Sequence, residues 1–272
     1  MRKLRVPLLI LSILLLLCSC AKEQATAAQV LDALEARGVV FCAASGRPYG
    51  SLLREFEGVA DKIVFICENG ALIMRGGERV FLDAIDPEYL PEIVAASRKM
   101  EGIYPVVCRA DKAIVEESVP EDFLRITQQF CSNILVVPDL MEHTHYDDVC
   151  KVAFYDEGDA QQHELPLLKR DMPKDLTVTL SGYHWVDVMK PGVHKGSAMK
   201  ALMAQMGITP DMCMAFGDYL NDIELLESVT HSYAMENAHP QLKAVAANIA
   251  PSNDSHGVIA VIRENVLEEH CD

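Results

Sequence analysis

Three short, unbroken apolar runs constrain this chain more than any other feature. Residues 39–44 stop at Ser45-Gly46-Arg47-Pro48, the strand at 62–67 is apolar from Ile63 onward and stops at Glu68-Asn69-Gly70, and residues 212–216 stop at Gly217. Runs of this length that are apolar at every position suit strands buried on both faces. Helical periodicity surrounds them. Ala27, Val30, Leu31 and Leu34 fall at i, i+3, i+4 and i+7 ahead of Gly38. Residues 49–57 suit a second helix, and Met199, Leu202, Met203 and Met206 form a stripe closed by Gly207. A methionine stripe at that spacing is core rather than a cofactor box. Strand and helix in alternation predict an α/β fold with a parallel sheet covered on both faces.

The middle of the chain has another rhythm. Residues 79–85, 103–108, 112–117, 149–155, 176–181 and 184–189 read as strands, and 86–100, 120–130 and 159–170 as helices. Paired strands between helices predict an α+β insert with an antiparallel sheet. Beyond Pro191 the first pattern returns, with a strand at 231–235 and helices near 220, 240–247 and 257–269. The expected organisation is one α/β domain from residues 1–75 and 191–272, interrupted by an α+β domain at 76–190.

The net charge of −16 and pI near 4.9 argue against nucleic acid and anionic membrane surfaces as partners. An anionic ligand would need local help from a metal, a lysine or a helix N-terminus.

Nine cysteines occur without CxxC spacing. Cys42, Cys67, Cys108 and Cys213 sit inside apolar runs, where cysteine acts as a small hydrophobe, which favours a reducing, cytoplasmic setting. The N-terminus argues the other way. Arg2, Lys3 and Arg5 precede an apolar stretch from Val6 to Leu17, and Leu17-Cys18-Ser19-Cys20 resembles a lipoprotein cleavage box with Cys20 as the lipidated residue. Membrane attachment would follow only from that lipidation. The competing reading of residues 1–20 is a buried first strand.

Several polar groups stand where such a sheet collects ligands, beyond the carboxyl ends of its strands. Ser45 follows the strand at 39–44, while Asp218, Asn221 and Asp222 follow the strand at 212–216. Lys195 opens the helix that leads into the latter strand. Two carboxylates and an amide suit a hard cation with oxygen ligands. A serine hydroxyl and a lysine suit phosphoryl oxygens. Singly, each residue has a plainer reading. Asp218 or Asn221 could cap the next helix, Ser45 could cap the helix after Pro48, and Lys195 could be a surface lysine.

The stretches FCAASGRPYGSLL (41–53), ICENGALI (66–73), VHKGSAMKAL (193–202), MAFGDYLNDIELLE (214–227), YAMENAHPQLKAVA (233–246) and NDSHGVIAVI (253–262) resemble, in order, motifs of the haloacid dehalogenase-like superfamily. The resemblance is to its Cof-type phosphatases with a class IIB cap. It implies a Rossmann-like core, an inserted α+β cap, and Mg²⁺-dependent hydrolysis of small phosphorylated metabolites such as sugar phosphates. By position, Ser45 and Lys195 would be catalytic. Ser45, Gly46, Arg47, Asn69, Lys195 and Asn221 would bind phosphate or substrate. Asp218, with Asn221 and Asp222, would serve the metal, and Asn237 would lie near the metal-side loop.

One departure matters. The resembled family begins with a strand ending in Asp-x-Asp-Gly-Thr, whose first aspartate attacks phosphorus and whose second is the general acid/base. Counting back from Ser45 puts these positions near Leu11 and Ile13, and no acidic residue occurs before Glu23. Leucine can neither attack phosphorus nor shuttle a proton. Three accounts follow: a phosphatase whose first residues are aberrant here, a non-catalytic relative that binds a phosphorylated ligand, or a membrane-anchored lipoprotein.

Among smaller features, His143, His145, Asp147 and Asp148 cluster in EHTHYDD, where a polar loop is the plainer reading than a metal site. Trp185 is expected to pack where insert meets core. His184 and His194 could face a substrate, and Glu101, Tyr104 and Arg109 lie in the insert without an assignable role.

Overall fold

The computed structural model describes residues 8–12, 21–131 and 133–267. From the N-terminus run β1 (Leu8–Ser12), α1 (Ala21–Glu35), β2 (Val40–Ala44), α2 (Tyr49–Glu55), β3 (Ile63–Cys67), β4 (Leu72–Arg75) and β5 (Glu78–Leu82). The insert follows as α3 (Leu90–Ser97), β6 (Ile103–Arg109), β7 (Ala113–Glu116), α4 (Glu121–Phe130), β8 (Ile134–Val137), β9 (Val149–Asp156), α5 (Glu164–Asp171), β10 (Thr177–Gly182) and β11 (Trp185–Met189). The chain then returns through α6 (Lys195–Met206), β12 (Cys213–Gly217), α7 (Ile223–Glu227), β13 (His231–Met235), α8 (Pro240–Val245), β14 (Asn248–Ala250) and α9 (Gly257–Ile262).

Two sheets result. The first has eight strands in the order β14-β13-β12-β1-β2-β3-β4-β5, and the second has six in the order β10-β11-β9-β6-β7-β8. From β14 to β3 all neighbours are parallel. Strand order therefore runs outward in both directions from the β1–β12 junction. Such a reversal opens a crevice at the strands' carboxyl ends. β2, β3 and β12 supply the centre of the core, since nearly every residue in them is buried, as the unbroken apolar runs require.

Residues 8–12 form a strand of the first sheet. Leu8, Leu9, Ile10 and Leu11 register with Cys213, Met214, Ala215 and Phe216 on one side, and Leu8 to Ser12 register with Val40 to Ala44 on the other. Ile13, Cys18 and Cys20 lie outside the described residues, and with them the lipidation site.

Some expectations need correction. The strand read at 79–85 as part of the insert is β5, which pairs antiparallel with β4 at the edge of the first sheet. Asn69-Gly70 turns β3 back into β4, and that hairpin carries β5 with it. The insert's sheet is not wholly antiparallel, because β7 and β8 pair in parallel. β8 and β14 went unread: they span Ile134–Val137 and Asn248–Ala250, too short for a periodicity argument.

Candidate functional site

Ser45 leaves β2 and is nearly buried, at 3% exposure. Its hydroxyl accepts the backbone N–H of Arg47 at 3.1 Å, which tightens the turn around Gly46. The turn is laced to the next strand end: the Asn69 N–H donates to the Ser45 carbonyl at 3.0 Å, and the Glu68 N–H to the Arg47 carbonyl at 3.1 Å. Asn69 adopts positive φ, and Gly70 follows with φ +106°. A Cβ on Gly70 would stand 2.3 Å from the His194 carbonyl oxygen, so only glycine lets this loop touch the start of α6.

His194 caps α6, accepting the Ser197 N–H on Nδ1 at 3.1 Å. Lys195 is then the first helical residue, and its Nζ donates to Asp222 Oδ1 at 2.6 Å with both side chains buried. The other Asp222 oxygen accepts the backbone N–H groups of Asp218 and Tyr219 at 3.1 and 3.2 Å. Asp222 therefore fixes the loop after β12 and orients Lys195, with both oxygens engaged. At Gly196 a Cβ would meet the Glu224 carbonyl oxygen at 2.2 Å, so the absence of a side chain permits α6 to lie against α7.

Asp218 is different. It accepts from Asn253 Nδ2 at 3.1 Å and faces the cavity described below. Burial, with the Asp222 charge adding to it, pushes its carboxyl up to about 6 against the pull of Lys195. Asn237 accepts the Asn253 N–H at 3.2 Å, so it supports Asp218 at one remove. Asn253 itself was passed over in the sequence, where it is one polar residue among several before α9.

A cavity of about 480 Å³ opens where the two sheets face each other. Ser45, Gly46, Arg47, Lys195, Asp218 and Asn221 line it from the first sheet, as do Lys151, Asp187 and Trp185 from the second. The residues expected to act together, from three separate strand and helix ends, thus reach one space. Asn69 stands behind this wall. Its Oδ1 accepts from Asn221 Nδ2 at 3.0 Å, and its Nδ2 donates to Asp187 Oδ2 at 2.6 Å.

Lys151, Asp187 and Glu68 were not singled out in the sequence. Lys151 Nζ donates to the Gly46 carbonyl at 2.7 Å and to Asp187 Oδ2 at 3.1 Å. Glu68 Oε2 is also 3.1 Å away and forms an ion pair with the ammonium. Burial opposes the Lys151 charge, but Asp187 and then Glu68 outweigh it and hold the ammonium well above its usual range. This cluster ties the insert to the Ser45 turn. The available signal was a lone charge inside an apolar strand, VCKVAFYD for Lys151 and WVDVM for Asp187.

Other candidates resolve simply. Asp148 makes a two-pronged pair with Arg109 at 2.6 and 3.0 Å, and His143 meets the Tyr146 hydroxyl at 3.0 Å. The EHTHYDD cluster is thus a loop bonded within itself and to Arg109 of β6, and no group of three or more His, Cys, Asp and Glu side chains is placed to hold a metal among the described residues. His184 binds the Asp156 carbonyl at 2.9 Å, and His194 is the cap of α6. Among the described residues, no helix is long and apolar enough to cross a membrane.

A doubly wound sheet whose strand-end crevice is covered by an inserted α+β cap, with a serine, a lysine and a carboxylate meeting in the crevice, defines a capped α/β fold of the Rossmann-like kind. The chain belongs to the haloacid dehalogenase-like hydrolases, whose family model matches residues 16–262. It is 26% identical to the 5-amino-6-(5-phospho-D-ribitylamino)uracil phosphatase of Escherichia coli over 87% of this chain and 86% of that one. It is 40% identical to the HMP-PP phosphatase of Serratia proteamaculans over 65% of this chain and 66% of that one. A Streptococcus mutans protein of known crystal structure superimposes with a TM-score of 0.85 at 26% identity, covering 97% of this chain and all of that one. A subclass IIB sugar phosphatase shares the fold with a TM-score of 0.78 at 22% identity, covering 94% and 98% of the two chains. The inserted α+β unit has the same fold as the cap of that subclass IIB structure.

Proposed function

We propose that this chain binds a small phosphorylated metabolite between core and cap and, with its present first strand, does not turn it over by an aspartyl-phosphate route. The observation that carries the reading is the convergence of Ser45, Lys195, Asp218 and Asn221 on one cavity. The Ser45 hydroxyl and the amide of Asn221 would hydrogen-bond phosphoryl oxygens, with the turn at Gly46 and Arg47 closing around them. The Lys195 ammonium would neutralise phosphoryl charge.

Magnesium fits this donor set as an ion shared with the ligand. Asp218 offers a carboxylate that burial has made costly to ionise alone, and Mg²⁺ is commonly held by one or two carboxylates plus phosphate oxygens and water. The ion would supply charge stabilisation to the phosphoryl group. Asn253, Asn237 and Asp222 would keep Asp218 in place.

What is lacking is the attacking group. Leu11 occupies the position expected of the nucleophile on the strand flanked by β2 and β12. The competing reading is a working phosphatase, favoured by the phosphatase names of two relatives. Both readings meet in one experiment. Purified protein is assayed for phosphate release from an aryl phosphate with magnesium, while its melting temperature is followed with inorganic phosphate, vanadate and Mg²⁺. A thermal shift without release supports the binding reading. Release that vanishes in Asp218→Ala establishes the hydrolase instead, and neither shift nor release sinks both.

A further inference from the structure

We infer that the alcohol part of the bound phosphate ester is a planar aromatic or heteroaromatic ring rather than a sugar, seated against Trp185 and Phe130 of the cap. This rests on the phosphate-site reading above and adds the ligand's other half.

The two ends of the cavity differ in kind. The core end carries Ser45, Lys195, Asp218 and Asn221; the cap end is walled by Val106, Cys108, Phe130, Cys131, Ala153 and Trp185. Val106 and Ala153 are opposite each other on β6 and β9, so they present one flat patch of sheet. Trp185 stands edge-on to Phe130 with ring centroids 5.9 Å apart, and edge-on to Tyr155 at 5.1 Å. Phe123 braces both Tyr155 and Trp185 from behind. These contacts hold the indole in a fixed orientation before any ligand arrives.

Most polar side chains at this end are already committed to protein partners. The Thr127 hydroxyl donates to the Phe123 carbonyl at 3.0 Å, and the Ser181 hydroxyl to the Trp185 carbonyl at 3.4 Å. Lys151 and Asp187 bind each other. Burial pushes the Cys131 thiol up to about 12 and the Cys108 thiol well above its usual value, so both are neutral and behave as apolar wall. A polyol placed here would give up water for few new hydrogen bonds, whereas a ring loses none and gains offset or edge contacts. Tyr183, at 65% exposure, offers a hydroxyl only at the mouth. The volume suits a phosphate plus one or two fused rings. Arg47 spans the two ends, its guanidinium 6.0 Å from the Phe130 ring.

The test uses the full chain with magnesium present. Trp185 is the single tryptophan, so its emission reports ligand at the cap end directly. Affinities for phenyl phosphate, 1-naphthyl phosphate, glucose 6-phosphate and inorganic phosphate are measured by calorimetry and by Trp185 fluorescence. If an ester is hydrolysed, the same ratios are read from kcat/KM. The expected result is binding of the aryl esters about tenfold or more tighter than the sugar ester. Phe130→Ala and Trp185→Leu, read by calorimetry, should each lower the aryl-to-inorganic-phosphate preference about tenfold. Phe130→Leu, a milder change, should lower it in part. Equal or tighter binding of glucose 6-phosphate, with inorganic phosphate still bound, overturns this inference alone. Failure of every phosphate compound to bind overturns the phosphate-site reading and this inference with it.

Discussion

Leu11 on β1 is in register with Phe216 on β12, two residues ahead of Asp218 along the chain. A carboxylate at residue 11 would therefore arise beside the strand end that carries Asp218. Supplying what the first strand lacks should restore chemistry. The double variant Leu11→Asp/Ile13→Asp is expected to release phosphate from an aryl phosphate with magnesium, on the order of 10²-fold or more above the parent. Steady-state assays with and without EDTA check it. The added change Asp218→Ala should return activity to the parent level. A double variant that folds and binds phosphate but remains inert would remove the missing nucleophile as the reason for inactivity.

Lys195 and Asp222 form a buried pair, and removing either takes a charged, hydrogen-bonded partner from the other. Asp222→Ala also frees the backbone N–H groups of Asp218 and Tyr219. The expected loss is about 3–5 kcal/mol, read from the urea midpoint at constant slope. Asp222→Asn keeps an oxygen for those two donors and should cost less than the alanine change. An alanine variant as stable as the parent would mean the loop holds itself.

The sheet and the site were legible to different degrees, for physical reasons. β2, β3 and β12 declare themselves because strands buried on both faces tolerate little but apolar residues, and their polar ends then stand out. Ser45, Lys195 and Asp218 were found by that contrast. Lys151 and Asp187 were not, because a charge inside a strand has meaning only once its partner across the fold is known. Lys151 meets Asp187, Glu68 and the Gly46 carbonyl from distant parts of the chain. β5 was misplaced for a related reason: a strand's pattern reports its burial, not which sheet it joins. Spacing could not show that Asp222 orients Lys195 and holds the loop after β12, because both partners depend on the fold.

Asp218 carries a stability cost that ligand binding should relieve. Its folded value of about 6 lies above its ordinary 3.8. Between those two values the folded state holds a proton that the unfolded state has released, so stability falls as pH rises, and the full cost is present above about 6. Asp218→Asn should therefore melt higher than the parent at pH 7.5, by about 1–2 kcal/mol after allowance for solvent access, and match it near pH 4. Magnesium with phosphate should raise the melting temperature of the parent at pH 7.5 and leave the variant nearly unmoved. Thermal scans across pH, with and without the ions, decide the matter; an equal response in both proteins removes Asp218 from the metal site.

Glu164, the first residue of α5, is fully buried, and both its carboxyl oxygens lack a hydrogen-bond partner among the described residues. Burial, reinforced by Asp156 and Asp187, pushes its carboxyl from 4.5 up to about 9, so it is neutral at pH 7. The sign again follows from proton uptake. Between pH 4.5 and about 9 the folded state keeps a proton that the unfolded state loses, and stability declines steadily with rising pH. Glu164→Gln is isosteric and does not titrate, so it removes that decline. Its advantage over the parent should grow by about 2–4 kcal/mol between pH 5 and pH 8. Urea denaturation of both proteins at those two pH values measures it. Because Asp187 loses a like charge nearby only when Glu164 is protonated, the parent should also bind phosphate esters less well above pH 9, and the variant should not. A parent whose stability is flat from pH 5 to 8 would show that Glu164 stays ionised and has found a partner.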